Sequence, residues 1–193
     1  MGVLASLPAV FTLAEAMDSG VRKDQVYAMV ASGEIERVGR GVYARTAEID
    51  PALLALAAAT AIRPSATLCL TSALVYHGLT DDIPFGSDIA LPRGVRPPAG
   101  FEHVSWRSFD SDSFGIGRES CEIAEGVTGS VYSAERTIVD CFRLMHREGS
   151  EQAYEALRRW LRRRGSSPSD LWDVASAFSV TKRRLGQAME ALL

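Results

Sequence analysis

The stretch from Phe11 to Ala44 constrains this chain most, because two short helical patterns joined by a glycine turn run into the tight-turn sequence Gly39-Arg40-Gly41-Val42-Tyr43. Thr12 stands at an N-cap position with Glu15 three residues on. That is the capping-box spacing, which satisfies two free backbone N–H groups at a helix start and predicts a short helix from Leu13 to about Met17. Asp18-Ser19-Gly20 ends it, since glycine tolerates positive φ and Asp and Ser bind local backbone donors. A second helix is expected from about Arg22 to Ala31, closed by Ser32-Gly33. In it Val26, Met29 and Val30 form one buried stripe, and Arg22, Lys23, Gln25 and Tyr27 lie nearer the other face. Ile35 and Val38, then Val42 and Tyr43, flank Gly39-Arg40-Gly41 as apolar runs around a turn, a hairpin carrying Arg37, Arg40 and Arg45. Two helices about a glycine turn followed by a hairpin make a winged helix-turn-helix. The first partner this implies is double-stranded DNA, read by Arg22, Lys23, Gln25 and Tyr27 in the major groove, with Arg37, Arg40 and Arg45 on phosphate or minor groove.

Charge limits the form such binding can take. The 193 residues carry a net charge of −3, and Phe11 to Asp50 holds at least as many acidic residues as basic ones, with Glu34 and Glu36 beside the hairpin. DNA contact must then come from a local patch, weaken with salt, and be sequence-specific rather than coating. A hydrophobic content of 47% is ample for a DNA-binding module over residues 1–50 and a second core over residues 51–193. Cys69, Cys121 and Cys141 are odd in number and widely spaced, which indicates neither a disulfide framework nor a zinc site. The first twenty residues lack a basic start, and the apolar run Leu53 to Ile62 is too short to span a bilayer, so a cytoplasmic protein without a membrane partner is expected.

Beyond the hairpin, Asp50-Pro51 opens an Ala- and Leu-rich helix to about Ile62, stopped by Arg63-Pro64. Thr71 or Ser72 caps a second helix through Tyr76. The Pro- and Gly-rich run from Asp81 to Gly100 reads as loop, with Asp88 to Leu91 its one strand. Alternation in His103 to Arg107 and Cys121 to Ala124, followed by Val127 to Tyr132, predicts a small mixed or antiparallel sheet. From Ala134 the chain turns helical, with stripes at Ile138, Val139, Phe142 and Met145, at Tyr154, Leu157, Trp160 and Leu161, and at Leu171, Val174 and Phe178 after a Ser169 cap. A last helix runs from about Thr181 to Leu192. The fold class is α+β, a winged helix-turn-helix followed by an α-rich domain with a small sheet.

Catalytic patterns are sparse. Asp110-Ser111-Asp112 has the two-carboxylate spacing that holds metal in nucleotidyltransferases, with Gly86-Ser87 as a phosphate cradle, but the gap between them is long and the surroundings read as loop. His77, His103 and His146 are isolated from one another and from any cysteine, as packed or surface histidines are. Gly115-Ile116-Gly117 lacks the third glycine of a dinucleotide loop, and Ser130 and Ser133 lack a nucleophile elbow. A non-enzyme without cofactor or metal is expected. Arg158, Arg159, Arg162, Arg163 and Arg164 form the one prominent charge run, read as a solvated helix face or as a surface for RNA or phosphate.

The run from Gly20 through Val26, Met29, Val30, Gly33, Ile35, Val38 and Gly41-Val42-Tyr43 resembles the N-terminal domain of the AbiEi family, the antitoxins of type IV toxin-antitoxin systems. Thr71-Ser72-Ala73-Leu74 with His77-Gly78-Leu79, Ala90-Leu91-Pro92-Arg93-Gly94, and Ser133 to Asp140 look like successive blocks of that family's C-terminal half. The first helix of the winged domain departs from the pattern, because only Met1 to Val10 remains for it. The resemblance implies a phage-defence antitoxin that represses its own operon and counters a nucleotidyltransferase-like toxin without a stable complex. Two other classes stay open: a winged-helix regulator whose C-terminal half binds an effector or dimerises, and an enzyme with a nuclease-like domain.

Overall fold

A computed structural model describes residues 7–192. Its order is β1 (Val10–Thr12), α1 (Leu13–Asp18), α2 (Lys23–Ser32), β2 (Glu36–Gly39), β3 (Val42–Ala44), α3 (Leu54–Ile62), β4 (Thr67–Leu68), α4 (Leu70–Tyr76) and β5 (Ser87–Pro92), followed by β6 (Val104–Phe109), β7 (Arg118–Ala124), β8 (Val127–Tyr132), α5 (Ala134–Glu148), α6 (Ser150–Leu161), α7 (Pro168–Ser176) and α8 (Ser179–Leu192). The class is α+β, as the sequence predicts.

The winged motif forms where the capping and turn residues place it. Thr12 accepts from the Glu15 backbone N–H at 3.2 Å while the Glu15 carboxylate takes the Thr12 N–H at 2.6 Å, and Gly33 closes α2 at φ +79. The hairpin β2–β3 gains a third strand that alternation does not reveal: β1 pairs antiparallel with β3, giving the order β1-β3-β2. The expected first helix falls mainly on residues 1–6, outside the described residues, and the chain enters β1 at Val10. This small sheet is apolar on both faces. Phe11 and Tyr43 join Val21, Val26 and Ile35 in the core of the winged motif, while Val10, Val42 and Ala44 face the rest of the protein.

The second sheet is mixed, in the order β6-β5-β4-β8-β7, with β5–β6 and β4–β8 parallel and the other pairs antiparallel. Its alternation sorts side chains into two layers. Leu68, Ile89, Leu91, Ile123 and Val131 pack on α3 and the winged sheet, whereas Ala90, Phe109 and Tyr132 pack on the helices that follow β8 and on α4. Parallel strands need a crossover, usually a helix. Here β5 returns to β6 through residues 93–103, rich in Pro and Gly, and the wing covers that face instead.

Three helix starts and one added strand differ from expectation. The helix after Asp50 begins at Leu54, because Pro51–Leu53 form turns. The next helix begins at Leu70, preceded by Cys69 with no side-chain cap; the Ser72 hydroxyl, rather than capping, accepts the Asp88 N–H at 2.9 Å. The two-residue β4 is too short to leave a period in sequence. Helix α7 takes Ser167 as its N-cap, which puts Pro168 at the first helical position, so Ser169 lies inside the helix.

Candidate nucleic-acid interface

Three of the residues expected on DNA converge around one phenol. Lys23 Nζ lies 5.6 Å from the centroid of the Tyr27 ring, one turn along α2. Arg37 stands opposite Tyr43 in the β2–β3 register. Burial, then the neighbouring Tyr27 phenol, raise the Tyr43 hydroxyl pKa, while Arg37 and Lys23 act to lower it. Tyr27, Arg37 and Tyr43 line a groove of about 420 Å³ between α2 and the wing, together with Leu13, Val30 and Ala31, and Lys23 reaches its edge over the Tyr27 ring. Tyr27 is 51% exposed, high for an aromatic ring, and available to a partner. In sequence Tyr43 reads only as an apolar wing residue; its place opposite Arg37 depends on the hairpin register.

The remaining expected contacts are spread more widely. Arg22 is the N-cap residue of α2; its guanidinium lies 3.3 Å from Asp24, and its backbone N–H donates to Gln25 Oε1 at 2.9 Å. Gln25 thus caps the helix with the amide oxygen that a base reader would use. Arg40 is exposed at the wing tip and makes no hydrogen bond or ion pair among the described residues. Arg45 is tied inward: its Nε meets Glu48 at 2.6 Å, and both Nη atoms donate to the Leu7 carbonyl at 3.2 Å. Of the acids near the wing, Glu36 accepts from Thr46 Oγ1 at 2.6 Å and Glu34 from Ser32 Oγ at 2.8 Å.

The wing is anchored by its turn. Leu13 N–H donates to the Gly41 carbonyl at 2.9 Å, fixing the start of α1 to the hairpin. Gly41 sits at φ +74 with open space where a Cβ would point, so a side chain there meets backbone strain and no clash. We expect Gly41→Val to lower stability by roughly 1–2 kcal/mol, which for a chain of this size is about 2–8 °C in Tm, and Gly41→Asn to lower it much less. Thermal melts check this, and equal melting of all three proteins would contradict it.

The arginine run divides. Arg158 pairs with Glu155 at 2.7 Å, and Arg159 with Glu155 at 2.9 Å and Asp81 at 2.9 Å, which holds both carboxyls below their usual range. Arg163 donates to the His77 carbonyl. Arg162 and Arg164, beyond the end of α6, are exposed and make no such contact among the described residues. Asp110 and Asp112 lie at a turn where Asp110 pairs with Arg93 at 2.9 Å. His77 Nε2 is 2.7 Å from the Tyr132 carbonyl, and His103 packs edge-on to Phe85. The three cysteines are buried, and burial pushes each thiol up. Among the described residues no group of three or more His, Cys, Asp or Glu could hold a metal ion, and no helix is long and apolar enough to cross a membrane.

Residues 3–46 match the family model described as transcriptional regulator, AbiEi antitoxin. No curated protein matches the chain.

Proposed function

We propose, from the match of residues 3–46 to the model of the AbiEi antitoxin transcriptional regulators, that this protein binds operator DNA upstream of its own gene and represses it. The observation that carries this reading is the groove between α2 and the wing that Tyr27 and Arg37 line, with Lys23 over the Tyr27 ring and Arg40 at the wing tip. An exposed helix face beside a basic hairpin matches the form of duplex DNA: the helix enters the major groove, and the wing cations meet the phosphates that flank it. Arg22 adds a further cation at the helix start. Arg45 supports the interface from behind by holding the end of β3 to the chain before β1.

The C-terminal half, in the same proposal, counters a nucleotidyltransferase-like toxin without a stable complex and without catalysis of its own. The match of residues 3–46 to that family model supports the pairing of regulator and antitoxin. The test begins with anisotropy of the pure protein on the DNA just upstream of its gene, titrated with salt and set against scrambled DNA. Specific binding that weakens with salt is expected, and equal affinity for both DNAs would refute the reading. Expression of the protein should then rescue cells arrested by the neighbouring toxin. Incubation with DNA and Mg²⁺ should leave the DNA intact, and cleavage would move the protein to the nuclease class.

A further inference from the structure

A second groove, which shares Arg37 with the one beside α2, runs along the seam between the wing and the body of the protein, with a volume of about 700 Å³. The seam is held closely. Phe101 lies so near Gly39 that a Cβ there would come within 3.0 Å of the ring, and Gly100, at φ +87, would place a Cβ 3.1 Å from the Arg40 nitrogen. Phe101 is in turn braced edge-on against Trp106 at 5.6 Å. The walls are apolar, formed by Val38, Leu54, Ala55, Phe101 and Val104. Arg37 and Arg40 line the wing side, against Glu102 as the one carboxylate of the lining.

A concave apolar site of this size with a few convergent polar groups is the usual form of a small-molecule pocket. Two guanidinium groups against one carboxylate leave it with net positive charge, and Arg40 has no ion pair among the described residues. We infer that the seam binds an amphipathic carboxylate, its aromatic or aliphatic body on Leu54, Ala55 and Phe101 and its acid on Arg37 and Arg40. The same two arginines are the wing cations assigned to phosphate, so an occupied seam competes with DNA; this competition rests on the DNA-binding reading, whereas the pocket does not.

The probes are 8-anilinonaphthalene-1-sulfonate, an apolar anion that fluoresces when it leaves water, and decanoate as the displacing carboxylate, both with the full chain. Saturable fluorescence at one dye per protein, displaced by decanoate, is expected. Ala55→Trp, which fills the groove, and Arg40→Ala, which removes an exposed cation and spares the core, should each weaken dye binding at least tenfold. The double variant Ile83→Ser/Phe85→Ser removes the two side chains that are 95% and 96% exposed and should leave dye binding unchanged. Dye binding abolished in that variant but kept in Arg40→Ala, or unsaturable signal, overturns the pocket. On upstream DNA, saturating decanoate should lower affinity at least threefold, and an unmoved affinity overturns the competition. A protein that takes the dye but binds no DNA refutes the interface reading and leaves the pocket standing.

Discussion

Arg136→Ala should lower the stability of this protein by about 3–5 kcal/mol, the range for removing one partner from a buried ion pair, and the melting temperature by about 6–20 °C at the scaling for a chain of this size. Arg136 is completely buried. Its Nε donates to Asp140 Oδ2 at 2.9 Å, and its Nη1 to the carbonyls of Ser113 at 2.8 Å and Ile116 at 2.6 Å. The guanidinium lies 4.4 Å from the Tyr132 ring centroid and 4.5 Å from that of Phe178, so one side chain joins α5, the turn before β7, the end of β8 and the residue before α8. Burial pushes the Asp140 carboxyl up, and Arg136 and Arg143 oppose that. With Arg136 gone, the carboxylate loses its main compensating charge, two carbonyls lose their donor, and the rings face a cavity. Replacing both members, Arg136→Leu with Asp140→Leu, should recover part of the loss because no fully buried charge is left unpaired; Arg143, which pairs with Asp140 at 3.0 Å, keeps partial access to water. Urea unfolding measures both variants. A single alanine variant within about 1 kcal/mol of the parent would contradict the role given to this pair.

The second large effect is on binding. With Lys23 in the major groove and Arg37 on a phosphate, Lys23→Ala/Arg37→Ala should reduce the slope of log affinity against log salt by about 0.9, for the one phosphate no longer neutralised. Affinity itself should fall on the order of 100-fold at moderate salt, with the fold unchanged, because both side chains are exposed. Arg45→Ala supplies the contrast. Its guanidinium holds Glu48 and the Leu7 carbonyl, so its removal should lower the melting temperature and leave the salt slope where it was. Anisotropy over a salt series separates the two outcomes. An unchanged slope in the double variant, or a diminished slope in Arg45→Ala, would remove the assignment of Lys23 and Arg37 to the DNA face.

The winged motif is legible because its signals are local. Thr12 and Glu15 are three residues apart and cap the same turn, Gly33 and Gly41 adopt the positive φ that their positions demand, and Val26 lies at the helical spacing that buries it. The strands β6 and β7 are legible from alternation, and β5 and β8 as short runs bounded by turn residues. Within the candidate site, residue types alone select Lys23, Tyr27 and Arg37, and equally select Arg45 and Gln25, whose polar atoms turn inward or cap a helix. A guanidinium has the same composition whether it faces solvent or a carbonyl 38 residues away.

By itself, then, the sequence determined the elements governed by short-range chemistry: caps, glycine turns, helical stripes and the α+β class. Only the tertiary structure decided that Val10, Val42 and Ala44 share a core with Leu56, Leu68 and Val131, that Tyr43 lines one groove with Arg37 and Tyr27, and that the loop after β5 seats Phe101 against the wing. The reason is the separation of the partners. A cap or a turn is satisfied within four residues, so its donors and acceptors are visible together in the chain, whereas a strand buried on both faces, such as Val42-Tyr43-Ala44, needs partners distant in sequence and shows only as a short apolar run until those partners are in place.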